Sequence, residues 1–227
     1  MIIYREVERR GTISGDNFKP LAPERGKVIK NAEEEAYVAK TNADFDFKKL
    51  PRVARWADEI RYANGDGKGI ERMINCQRCV VAHEARMRGY DVIARPSWGA
   101  DDPLQKVGDW LEIFEESSRE IYNCVGKTST EIEKFITARM NKWGEGSRAF
   151  VWFKWEGATE RDDFGHVIVT HIKGNGFVQY GDPQRSKISA TKYLNEAKPG
   201  TVLIMRADTL KFTDKVKRCC MNRGQVI

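Results

Sequence analysis

The sequence lacks the cysteine pattern of a disulfide-stabilised protein. It has five cysteines in 227 residues, at Cys76, Cys79, Cys124, Cys219 and Cys220. Disulfide frameworks occur in short secreted chains with an even number of cysteines, so an odd number in a chain of this length argues against one. We therefore expect a reducing compartment and assign the adjacent pair, Cys219 and Cys220, to packing.

Long apolar runs are also absent. No segment approaches the roughly 20 consecutive apolar residues of a membrane-spanning helix. The first ten residues, MIIYREVERR, lack the apolar centre of a secretory signal. We expect neither a signal peptide nor a transmembrane segment, and no membrane partner. A cytoplasmic location is therefore expected.

The charge is basic but not concentrated. The chain has 39 lysines and arginines against 33 acidic residues, which gives a net charge of +6 and a pI of about 9.0. Because the two signs are mixed along the chain, the pattern is typical of a solvated surface rather than of a nucleic-acid site. Nucleic acid is not an expected partner.

The periodicity of apolar residues changes along the chain. Phe47–Tyr62 and Glu131–Trp143 have apolar positions at helical spacing, as does the segment that begins at Cys76. A short strand is predicted at Tyr90–Arg95. From residue 148 onward, strands are predicted at Arg148–Glu156, Gly165–Ile172, Phe177–Tyr180, Thr201–Ala207 and Thr209–Phe212. Helices followed by strands indicate an α+β fold with an antiparallel sheet.

A glycine-rich segment, NGDGKG at Asn64–Gly69, is the strongest break in the pattern. We predict a domain boundary there. Residues 1–68 would form a partly helical N-terminal extension, which includes a predicted helix at Asn31–Lys40, and residues 69–227 would form the chemical domain.

A cysteine lies at the predicted start of the helix that ends before Gly89. Asn75 has the side chain of a helix N-cap, and Cys76 follows it at the positive end of the helix dipole. This position favours a thiolate and offers backbone N–H groups to an oxyanion. Arg78 and Arg88 lie on the opposite, predicted outer, side of the helix.

Histidine is scarce, because His83, His166 and His171 are the only three. The turn at 173–176 would fold the next strand back and bring Asp182 beside His166, either directly across or one step diagonal. The alternation of side chains places His166 on the face opposite to Val167 and Val169. We expect His166 to face the cysteine helix, in a nucleophile–base–orienter arrangement.

These residues resemble a known family. The block NCQRCVVAHEARMRGYDV at 75–92, with GHV at 165–167 and YGDPQ at 180–184, is similar to papain-like toxins and glutamine deamidases of bacterial effectors, and to a domain at the end of some phage head-morphogenesis proteins. The resemblance implies a papain-like fold with the cysteine-bearing helix packed on the sheet. It implies a catalytic triad of Cys76, His166 and Asp182, with Gln184 and Asn75 as accessory groups.

The resemblance also implies binding partners and a route of delivery into a target cell. These are a protein substrate with no cofactor, an immunity protein or a phage-head component, and delivery into a target cell by a phage or a secretion system. A carboxamide would be hydrolysed, with glutamine deamidation as the first hypothesis and proteolysis as the second.

Other hypotheses remain open from the sequence. Cys79, one turn after Cys76, competes for the role of nucleophile. Cys76, Cys79 and His83 share one helical face and could contribute to a zinc site. A basic binding module without catalysis, docked on nucleic acid or a capsid protein, would also fit the charge and the arginine side of the helix.

Overall fold

The structure is a computed structural model that describes residues 45–66, 68–97, 109–115, 119–158 and 165–225. The helix predicted at Asn31–Lys40 lies outside these residues. The described helices are α1 (Trp56–Tyr62), α2 (Ile70–Met73), α3 (Cys76–Met87), α4 (Ser129–Trp143) and α5 (Val216–Cys219). None of them is long and apolar enough to cross a lipid bilayer. Short 3₁₀ helices lie at Asp109–Ile113 and Thr191–Asn195.

The strands form two antiparallel sheets. They are β1 (Val92–Ala94), β2 (Ile121–Asn123), β3 (Arg148–Lys154), β4 (Gly165–Ile172), β5 (Val178–Gly181), β6 (Leu203–Arg206) and β7 (Cys220–Asn222). Five of them form a sheet in the order β2-β6-β3-β4-β5, while β1 pairs with β7. The α+β class predicted from the sequence is confirmed.

Two sequence predictions need correction. The strand predicted at Thr209–Phe212 is not formed. Leu210 donates its N–H to the carbonyl of Ala207 in a turn, and Phe212 makes only an isolated bridge to Phe114. The basic outer side predicted for α3 is also wrong, because Arg78 is buried and donates to the carbonyl of Arg218.

The large sheet is apolar on both faces, and a helix covers each face. Alternate residues of the central strands, such as Val167 and Val169, pack in one core with α3. The residues between them, such as Ile168, pack in a second core with α4. Helix α4 begins with a capping box, in which Thr128 and Glu131 each satisfy a backbone N–H of the other.

Helix α3 is enclosed on all sides, and its charged residues are paired. Glu84 is fully buried and accepts hydrogen bonds from Arg88 and from Arg148 of β3. The two guanidinium groups hold the pKa of Glu84 at about 2, although its burial alone would raise it. Arg86 donates to Glu59 of α1 at 2.9 Å, and both side chains are fully buried.

Residues that precede the predicted boundary at Gly69 belong to the same core. Trp56, Ile60 and Ala63 are buried in the cluster that contains α3, and Phe45 and Phe47 pack against it. The isolated bridge between Lys49 and Tyr90 adds a backbone connection to the segment after α3. The boundary itself stays a prediction, and these contacts determine what we expect from its test.

We expect a chain that begins at Gly69 to be much less stable than one that begins at residue 43. The shorter chain loses Trp56 from the core and leaves the buried Arg86 without Glu59. Removal of one partner of a buried ion pair alone costs about 3–5 kcal/mol. Urea unfolding of the two chains would measure the difference. Equal unfolding midpoints would instead support a domain that starts at residue 69.

Candidate active site

Cys76 is the first residue of α3, and Asn75 occupies the N-cap position before it. The Asn75 side chain does not cap the helix, contrary to the sequence prediction. Its Oδ1 accepts a hydrogen bond from the Cys79 thiol at 3.2 Å, and its Nδ2 donates to Oδ1 of Asn64 at 2.9 Å. The side chain is turned into the core because Asn64, in the segment before α2, provides a buried partner for it.

Gln184 joins this network from the other side of the site. Its Nε2 lies 3.5 Å from Asn75 Oδ1, and its carbonyl accepts a hydrogen bond from Asn64 Nδ2 at 2.9 Å. The two accessory residues from the sequence prediction are therefore close together. Asn64 was missed because it lies in the glycine-rich segment, where the pattern indicated only a chain break.

His166 and Asp182 are in direct contact. The His166 Nε2 atom lies 3.1 Å from Asp182 Oδ2. Strand β4 pairs with β5 so that Val169 lies opposite Gly181, and continuation of this register makes Asp182 the diagonal neighbour of His166. The remaining oxygen of Asp182, Oδ1, accepts the backbone N–H groups of Gln184 and Arg185 at 2.9 and 3.2 Å.

The face of β4 that carries His166 differs from the prediction. Val167 and Val169 pack towards α3, so His166 shares the face of Ile168, which packs towards α4. Parity alone could not decide between the faces, because the sheet has a helix on each side. The His166 ring, carried by the second residue of β4, nevertheless lies close enough to Cys76 for that side chain to raise the pKa of His166.

The surroundings of His166 favour its charged form. Burial alone would lower the pKa of His166, but the hydrogen bonds to Asp182 and Cys76 and their charges raise it to about 9. The ring also stacks on Trp155, with centroids 5.5 Å apart. An aromatic face next to an imidazolium adds a favourable cation–π contribution.

Burial distinguishes the two candidate nucleophiles. Cys76 is partly exposed, whereas Cys79 is fully buried. Burial raises the pKa of the Cys79 thiol well above its usual value, and the negative charges of Cys76 and Asp182 raise it further. Cys79 is thus held as a neutral thiol, which is suited to packing and to its hydrogen bond with Asn75.

The other two histidines are neutral in the fold. Burial lowers the pKa of His83 to about 3 and that of His171 to about 4. His83 packs edge-on against Trp56, and neither of its ring nitrogens has a hydrogen-bond partner within the described residues. In that same part of the chain, no three His, Cys, Asp or Glu side chains are grouped so that they could hold a metal ion.

A family of known proteins matches the segment that carries these residues. Residues 74–187 match the family described as papain fold toxin 1, glutamine deamidase. The chain belongs to this family. The matched segment is half of the chain and includes Cys76, His166, Asp182 and Gln184, and it confirms the resemblance seen in the sequence.

No curated protein matches the chain. Among solved structures, two variants of the Salmonella effector SpvD are similar. They have TM-scores of 0.45 and 0.41 and are 13% and 14% identical, and each match covers 81% of this chain and 95% of that one.

Three further residues at this papain-fold site were not predicted from the sequence. Trp155 stacks on His166, Tyr193 packs edge-on against the same ring, and Lys187 donates to the Tyr193 hydroxyl. Trp155 is the next-to-last residue of the predicted strand Arg148–Glu156, and the alternation of side chains could have placed it on the face of Phe153. Tyr193 lies on a short 3₁₀ helix for which the sequence pattern gave no signal.

The histidine environments predict three separate titrations. With pKa values of about 9, 4 and 3 for His166, His171 and His83, no histidine should titrate between about pH 5.5 and 7.5. Imidazole NMR signals followed against pH would measure this. The stability that His166 gains from its raised pKa is fully present below about pH 6.5 and is lost as the pH rises through about 9.

Asp182→Asn provides the matched control for this titration. Because the amide removes the negative charge next to the imidazolium, the titration of His166 should move to lower pH while the other two histidines stay unchanged. A His166 signal that titrates near its ordinary value in the unaltered protein would contradict the assignment.

Proposed function

We propose that this protein is a cysteine-dependent deamidase of protein glutamine side chains, with Cys76 as the nucleophile, His166 as the acid and base, and Asp182 as the orienting carboxylate. The observation that carries the proposal is the bond from His166 Nε2 to Asp182 Oδ2. This bond leaves Nδ1, the other ring nitrogen, for the partly exposed thiol of Cys76, with which the ring interacts. Family membership supplies the carboxamide as the reacting group.

The first half of the reaction forms a thioester. The Cys76 thiol first gives its proton to His166, and the resulting thiolate attacks the Cδ atom of the glutamine carboxamide, so that the oxygen of the amide becomes an oxyanion. The N-terminus of α3 presents the Cys76 N–H and the positive end of the helix dipole to that charge. The His166 imidazolium then gives its proton to the amide nitrogen, the C–N bond breaks, and ammonia leaves.

The second half returns the enzyme to its starting state. The imidazole of His166, now neutral, removes a proton from a water molecule, which attacks the thioester carbon. The C–S bond breaks, the product is a glutamate side chain, and the proton is held again by His166 opposite the sulfur of Cys76. Asp182 keeps the ring oriented with Nδ1 towards the sulfur in both halves.

The same residues could cleave a peptide bond if the leaving group were an amine. We favour deamidation because the family that matches the chain is described as glutamine deamidase. The binding-module hypothesis loses one of its supports, since the arginine side of α3 is buried: Arg78 donates to a backbone carbonyl, and Arg88 is paired with Glu84. An immunity protein or a phage-head partner stays a prediction.

The experiment that tests the proposal compares target-cell proteins after exposure to the unaltered protein and to Cys76→Ala. We expect glutamine-to-glutamate conversion at a small number of sites, detected by peptide mass spectrometry, and none with the variant. Cys79→Ala is the matched control and should retain conversion. New peptide termini without conversion would identify a protease instead and overturn the deamidase proposal.

Cys76 should react with iodoacetamide much faster than Cys79 near neutral pH. It is partly exposed beside a charged imidazole, whereas Cys79 is fully buried and neutral. Peptide mapping after brief alkylation would give the two rates. Faster modification of Cys79, together with activity in Cys76→Ala, would reverse the assignment of the nucleophile.

Asp182→Asn should lower the deamidation rate by about 10²–10⁴-fold, because the amide can no longer stabilise the imidazolium or fix its orientation. His166→Ala should be at least as damaging. His171→Phe, which keeps an aromatic ring against Trp56, should have nearly unchanged activity. Rates on an identified substrate would measure all three, and a large loss in His171→Phe would show that the wrong histidine has been assigned.

A further inference from the structure

Cys76, His166 and Asp182 form a row of neighbouring side chains, and two further residues continue this row beyond Asp182. Lys187 is joined to Asp182 by a pair of backbone hydrogen bonds of 2.8 and 3.0 Å. Its Nζ atom donates to the Tyr193 hydroxyl at 3.0 Å. The Tyr193 ring lies edge-on to His166 and to Trp155, with centroids 5.7 and 5.6 Å apart. Lys187 and Tyr193 therefore lie against the acid–base pair without belonging to it.

The direction of the hydrogen bonds follows from the chemistry of the groups. An ammonium has only donors, so the Tyr193 oxygen must accept from Lys187. The proton of the Tyr193 hydroxyl is then available to a different acceptor. The carboxylate of Asp182, whose backbone is paired with that of Lys187, is a nearby acceptor, and Tyr193 contributes to the lowering of its pKa. Burial alone would raise the pKa of Asp182, but its contacts with His166, the Arg185 backbone and Tyr193 lower it.

We propose that Lys187 and Tyr193 are positioning residues of this site, in which the Lys187 ammonium orients the Tyr193 hydroxyl towards Asp182 and the two groups keep that carboxylate ionised while moderating the negative charge that it presents to His166. The role in turnover rests on the proposed function of Cys76, His166 and Asp182. The effect on the charge of His166 does not, because it can be measured without a substrate.

The charged and titratable groups around this row are few among the described residues. Asp182 faces His166 and Tyr193, and the Cys79 thiol of α3 lies within reach of its charge. Lys187 interacts with Tyr193 and Asp182, and the charge of Arg185 opposes its own. Lys187 is therefore the positive side chain that is bound to this row, through its hydrogen bond to the Tyr193 hydroxyl.

The proposal gives the direction of a measurable shift. Lys187 and Tyr193 draw electron density away from the carboxylate, so their removal leaves Asp182 a stronger acceptor for His166. Removal of a positive charge also favours the imidazolium. Both effects raise the pKa of His166. A purely structural role predicts the opposite, since a loosened contact with Asp182 would lower that pKa.

The test compares Lys187→Met and Tyr193→Phe with Lys192→Met, which removes an exposed lysine from the same 3₁₀ helix as Tyr193. We expect both site variants to move the NMR titration of His166 upward by about half a unit and to lower kcat, because a more basic imidazole gives its proton to the leaving nitrogen less readily. Lys187→Arg should restore both values, and Lys192→Met should change neither.

Two outcomes would overturn the positioning role: a His166 titration in Lys187→Met that is no different from Lys192→Met, or one that moves downward. The proposed function fails separately. If the unaltered protein has no deamidase activity but the His166 titration still shifts upward in Lys187→Met and Tyr193→Phe, the proposed reaction is wrong and the role of Lys187 and Tyr193 stands.

Discussion

Buried charge in helix α3 is the constraint on which the rest of the structure depends. Glu84 and Arg86 are fully buried in the middle of the core, and an unpaired charge there would cost several kcal/mol. Arg148 of β3 and Glu59 of α1 supply the partners. Because these ion pairs form in only one alignment of the helix, they fix its position along the sheet and against α1.

Cys76 and His166, the proposed nucleophile and base, are held by two separately anchored parts of the fold. Cys76 is placed by α3 and by the buried amides of Asn75 and Asn64. His166 is placed by β4, whose register is fixed by strands on both sides. Asp182 adds the link between them, since Gln184, two residues after it, contacts Asn75. A change in any one of these anchors alters the distance between sulfur and imidazole.

The sequence predicted those parts of the site that depend on local pattern. Strand β4 was predicted with its observed ends, and the following turn placed Asp182 beside His166. The face of His166 was wrong because both faces of the sheet are apolar and both are covered. The prediction that the Asn75 side chain caps the helix was wrong because that side chain is hydrogen-bonded to the buried Asn64 instead. Tyr193 and Lys187 were missed since only the folded chain brings them to Asp182.

The three histidines form an internal comparison that explains how the site holds its charge. All three are largely buried, and burial alone would lower the pKa of each. His83 is next to Glu84, but that carboxylate is already bound by two guanidinium groups, and the pKa of His83 falls to about 3. Only His166 has a carboxylate at hydrogen-bond distance among the described residues, and its pKa rises to about 9.

The protein therefore does not obtain a charged imidazole by exposing it to water. Trp155 and Tyr193 exclude solvent from the His166 ring, which strengthens its interaction with Asp182 in the low local dielectric. The same exclusion would make an unpaired imidazolium too costly to form. His166 keeps its second proton only while Asp182 stays ionised. The groups that contact Asp182 on the side away from His166 therefore influence the charge that His166 presents to Cys76.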